Sequence, residues 1–89
     1  MNEERITRIQ QARTNKELDQ ATDGYREQVL TAHPALRIYD RFDVDLHSKR
    51  YSQALGDVRR AASGRGDRYQ DVIHVLESVV ERHSLLSKR

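Results

Sequence analysis

The last stretch of this chain leaves the fewest choices open. Tyr69, Val72, Leu76, Val79, His83 and Leu86 recur at spacings of three and four, with Ile73 and Val80 beside them. Residues three and four apart share one face of an α-helix. The spacing therefore predicts a long amphipathic helix, the strongest pattern in the sequence. At nearly three heptads it falls short of the three to four that mark a coiled coil. Its apolar face, Tyr69, Val72, Ile73, Leu76, Val79 and Val80, must be covered by the rest of the chain or by a second copy.

The remaining residues supply shorter helical stripes. Ile6, Ile9 and Ala12 lie three apart, and Leu18, Ala21, Tyr25 and Val29 follow at three and four. Ile9 and Leu18 are nine residues apart, about 180° around a helix, so a break belongs near residues 13–15. Thr14-Asn15-Lys16-Glu17 spells a capping box there. Gly24 can sit inside the second helix at a cost of about 1 kcal/mol against Ala, or it can break it. The residue before proline is pushed out of helical geometry, so His33-Pro34 ends this segment, and Pro34 can open the next.

Leu36, Tyr39 and Phe42 then mark one face. Phe42-Asp43-Val44-Asp45-Leu46 alternates with period two, as a strand would. No second strand exists to pair with it, and Asp40, Asp43 and Asp45 suit caps and turns, so an elbow between helices is expected. Tyr51, Leu55, Val58 and Ala62 form the next stripe, with Ser48 as its cap and Gly64 or Gly66 as its stop. Asp67 is placed to cap the last helix. These patterns predict an all-α fold, a small antiparallel bundle of about four helices, with residues 1–89 as one helical domain.

Composition bounds what such a bundle can do. Leu, Ile, Val and Phe number 20 of 89 residues, so the core is thin. Lean cores of this kind are often completed by a partner or a second copy. Of the 16 basic residues, 13 are arginine, which forks carboxylates and phosphates and stacks on aromatic rings. Residues 1–46 carry a net charge of −2 and residues 47–89 a net charge of +4. There is no cysteine, hence no disulfide and no thiolate metal site. The polar opening MNEERITRIQQ is not a signal sequence, and no run reaches the roughly 20 apolar residues of a membrane span. A cytoplasmic chain that does not enter a membrane is expected.

Ser63-Gly64-Arg65-Gly66-Asp67-Arg68 has the glycines and arginines of an anion loop, but lacks the flanking strand and the lysine of a nucleotide-binding motif. It reads first as a connector. The stretch 47–68 holds Lys49, Arg50, Arg59, Arg60, Arg65 and Arg68 against two aspartates. Lys49, Gln53 and Arg60 can share the polar face of the helix, as a stripe for phosphates or for an acidic protein. Alternatively it is a solvated face with local pairs such as Asp57 with Arg60.

Asp40, Asp43 and Asp45 resemble a calcium loop only until, counting from Asp43, Ser48 and Ala54 fall where a glycine and a glutamate are needed. His33, His47, His74 and His83 form no converging ligand set, and His83, on the apolar stripe, is expected to be partly buried. No serine or histidine sits in a nucleophile motif. Tyr25, Tyr39, Tyr51 and Tyr69 each fall on an apolar stripe, as core residues or interface anchors.

A non-enzyme with no cofactor and no metal is therefore expected. The first expectation is a small protein-interaction module, an inhibitor or regulator of a larger complex. Small cysteine-free chains carried by phages and other mobile elements, defence-system inhibitors among them, have this style. The alternatives are a nucleic-acid-binding regulator using residues 47–68, and a homo-oligomeric assembly protein, for instance a homodimer, using the apolar face of the last helix.

Overall fold

A computed structural model describes residues 2–38 and 40–88, with all of their side chains except those of Asn2, Ile38 and Asp40. Among the described residues every regular element is helical: α1 (Asn2–Gln11), α2 (Asn15–Ala21), α3 (Tyr25–Ala32), a 3-10 segment (Pro34–Ile38), α4 (Asp40–His47), α5 (Tyr51–Ala62) and α6 (Gln70–Ser87). The class is all-α, as the periodicity predicts. Among the described residues, six α-helices and a 3-10 segment stand where about four helices are expected, and two places account for the difference.

Gly24 is the first. Thr22 closes α2, Gly24 takes a left-handed φ of 74°, and α3 starts at Tyr25. That conformation is open to glycine at little cost. Leu18, Ala21, Tyr25 and Val29 are all buried, so one stripe in the sequence serves two helices. Upstream, Thr14 caps α2 as expected, its Oγ1 accepting from Glu17 N–H at 3.1 Å, and the return bond of the capping box is shifted one residue, Glu17 accepting from Arg13 N–H at 2.5 Å.

Residues 42–46 are the second. They form the body of α4, not an elbow. Phe42 and Leu46, four apart, are buried on one helical face, while Val44, which creates the alternation, is 52% exposed. Ser48 does not cap α5. It closes α4, where Lys49 adopts a φ of 61°, Arg50 N–H donates to Asp45 C=O at 2.8 Å and Lys49 N–H to Leu46 C=O at 3.2 Å. This pair of bonds is a Schellman motif, with lysine in the position that glycine usually fills.

Helix α6 runs through the middle of the packing, against α1, α2 and α5, while α4 packs on α5 and on the 3-10 segment. Tyr69, Val72, Val75, Leu76 and Val79 are almost wholly buried, together with Ile9, Leu36, Phe42 and Val58 from other elements. Each such side chain contributes roughly 1.5–3 kcal/mol when fully buried. One continuous core results, with Ile73 buried in it and Val80 packed at its edge.

Arginines tie the helices across their ends. Arg5 donates to the carbonyls of Ala21 at 3.0 Å and Asp23 at 3.1 Å, and its guanidinium lies 5.1 Å from the Tyr25 ring centroid. Arg82 Nε donates to Ala12 C=O at 2.7 Å, pinning α6 to the end of α1. Burial, with the Asp71 charge second, pushes the Tyr25 hydroxyl's pKa well above its ordinary value. No helix among the described residues is long and apolar enough to cross a membrane.

Candidate functional site

The basic stretch does not form a stripe. Lys49 lies in the turn before α5, 3.4 Å from Asp19 Oδ2, and so is not on the face with Gln53 and Arg60. Arg59 points the other way, to Glu77 on α6 at 2.6 Å. Arg68 lies over the Tyr69 ring at 5.9 Å. Arg65 stays in the exposed loop, with no side-chain partner among the described residues. Only Arg50 and Arg60, of the six, line a common groove.

The glycine loop is a connector. Gly64 and Gly66 take φ values of 74° and 63°, and Arg65 N–H is used internally by Ala62 C=O at 2.9 Å. Asp67 does not cap α6. The helix starts later, at Gln70, and Asp67 offers its backbone carbonyl to Gln70 N–H at 3.1 Å.

The other candidates resolve individually. Asp43 accepts from Arg26 Nε at 2.6 Å, and this bond holds the Asp43 carboxyl below the usual carboxylate range. His83 is exposed, against the expectation of partial burial, although Val80 before it and Leu86 after it still pack against the core. His33 bonds Asp71 at 3.1 Å and meets the Tyr69 ring edge-on. Tyr25 and Tyr69 are core residues. Tyr51 is half-buried, with its hydroxyl 3.1 Å from Thr22 Oγ1. Tyr39 lies outside the described residues. The apolar face of α6 is consumed by the chain's own core, and the large hydrophobic side chain left well exposed on that helix is Leu85.

The feature with convergent chemistry is a groove of about 780 Å³ between α4 and α5, lined by Arg41, Asp45, Arg50, Ser52, Gln53, Gly56, Asp57 and Arg60. Asp45 and Asp57 lie beneath the arginines and are only 6% and 5% exposed. Arg41 and Asp45 share a face of α4, one turn apart; Asp57 and Arg60 do the same on α5. Arg50 Nε reaches Asp45 Oδ1 at 3.2 Å, and Arg60 Nη2 is bonded to Asp57 Oδ1. The second oxygens, Asp45 Oδ2 and Asp57 Oδ2, are buried and receive no donor from a neighbouring basic or amide group.

Burial pushes the Asp57 carboxyl up, reinforced by its hydrogen bond with Asp45 and by the Asp45 charge, while Arg60 and Arg41 pull it down. Two neighbouring buried carboxyls resist double ionisation. The result is a floor of two acids that fixes Arg50 and Arg60 by one nitrogen each and leaves their other N–H groups for a ligand.

Arg41 is the site residue that the sequence reading misses, while Asp45 and Asp57 are read there only as a turn residue and as half of a local pair. The signal is present once 40–47 is taken as helix, since Arg41 and Asp45 are then four apart on one face. Comparison with protein-family models, curated proteins and solved structures finds no match for this chain, so what the groove does must follow from its own residues.

Proposed function

We propose that this chain is a small, non-catalytic interaction module that binds a protein partner through the α4–α5 groove and thereby regulates or inhibits a larger complex. The observation that carries this reading is the convergence of Arg41, Arg50 and Arg60 over buried Asp45 and Asp57. Guanidiniums held by carboxylates lose less freedom on binding, and arginine is among the residues enriched in binding hot spots. A nucleic-acid reading needs basic groups strung along a backbone. Here Lys49 and Arg59 are engaged by Asp19 and Glu77 away from the groove.

The test is affinity capture from a bacterial lysate with the tagged chain, with and without nuclease, beside the Arg41→Gln/Arg60→Gln variant. The expected result is a protein retained after nuclease and lost with the variant. Enrichment that vanishes with nuclease would replace this reading with nucleic-acid binding.

A further inference from the structure

The partner's chemistry can be narrowed from the groove itself. Its exposed donors are guanidiniums: Arg50 and Arg60 are 51% and 67% exposed at the side chain although each is anchored by one nitrogen. Arg41, also exposed, has no hydrogen bond or ion pair of its own among the described residues. Ser52 and Gln53 add a hydroxyl and an amide. Gly56 contributes no side chain, and a Cβ there would stand 3.9 Å from Arg60 Nη1, inside the space a ligand would use.

We infer that this groove receives the carboxylate side chains of an acidic segment of a protein partner, with Arg41, Arg50 and Arg60 as the recognising groups. The inference rests on the reading that the groove faces a protein. Planar guanidinium forks match carboxylates bidentately. The donors line one groove between two helices, which suits a few discrete carboxylates better than a continuous phosphate backbone. Val44 lies three residues after Arg41 on α4 and is 52% exposed, giving the groove an apolar neighbour that a peptide can cover.

The experiment is a titration of the isotope-labelled chain with hexaglutamate, followed by amide NMR, with a single-stranded DNA oligonucleotide as the competing probe. Hexaglutamate should move signals of residues 41–60. Arg41→Gln should weaken it about tenfold, the scale of one lost charge-assisted contact. Arg65→Gln, a loop change outside the groove, should leave it unchanged. Because Arg41 makes no hydrogen bond or ion pair among the described residues, its variant should keep the wild-type circular dichroism; Arg41→Lys, which keeps charge but not the fork, should fall between.

Shifts elsewhere on the surface, equal losses for Arg41→Gln and Arg65→Gln, or DNA binding the groove more tightly than the peptide would each overturn the inference. A captured protein whose binding ignores Arg41 would sink the inference while leaving a protein partner in place. Loss of all capture after nuclease would sink the broader reading instead.

Discussion

Helix α5 meets two unlike neighbours. Towards α6 the described ion pair is exposed, Arg59 with Glu77, over a core to which α6 brings Val72, Val75, Leu76 and Val79. Towards α4 the contact holds two buried carboxyls, Asp45 and Asp57, with arginines at the mouth. The first contact is what a thin bundle needs to stay folded. The second costs stability, since buried like charges resist ionisation, and a surface kept at such a cost points to use. Charge density alone does not separate them; burial beneath the charge does.

The largest break of this contrast is on the dry side. Leu76→Ala, at a fully buried site, should cost about 3–4 kcal/mol in urea unfolding, and in so small a chain that is a large share of its stability. On the acid side the sign should reverse. Asp57→Asn lets an amide donate to Asp45 and removes the like-charge contact, so stability at neutral pH should rise by about 1 kcal/mol.

The pH dependence sharpens the same point. Asp57 has its folded pKa raised, so the folded chain holds more protons than the unfolded one between the ordinary carboxylate range and that raised value. Its contribution to stability therefore falls as pH rises through that window, and the asparagine variant should lack this fall. Asp43, lowered by the Arg26 bond, works oppositely: its contribution is present above the ordinary range and is lost as pH falls towards its folded value. Urea midpoints measured across pH on the wild type, Asp57→Asn and Asp43→Asn separate the two.

Two smaller effects follow at the groove's margins. Gly56→Ala, inside α5, should add roughly 0.5–1 kcal/mol of stability and weaken hexaglutamate binding, trading groove space for helix propensity. Lys49→Gly, at the left-handed residue closing α4, should add about 0.5 kcal/mol in the same assay.

The sequence speaks clearly where burial follows a helical period. The stripe from Tyr69, the capping box at Thr14 and the stop at His33-Pro34 are legible because each depends on neighbours within one or two turns. Residues 42–46 mislead because Val44 mimics alternation; which of Phe42, Val44 and Leu46 is buried is decided by packing that no local pattern encodes. Ser48 misleads for a related reason: a serine between two helices can end one as well as start the next. The Asp57–Arg60 pair can be read from its spacing, but Asp45 beneath it is brought by a different helix. The basic stretch 47–68 is compositionally real yet spatially divided, since successive helical residues such as Arg59 and Arg60 point about 100° apart.

The most direct measurement sets Arg41→Gln beside Arg59→Gln, each titrated with hexaglutamate and each unfolded in urea. Arg41→Gln should weaken binding about tenfold and lower the urea midpoint only slightly, through the loss of its small pull on Asp57, while Arg59→Gln should leave binding intact and lower stability by about 0.5 kcal/mol. Loss of binding with Arg59→Gln and none with Arg41→Gln would contradict the division of roles between the two sides of α5 and return the ligand surface to the α5–α6 face.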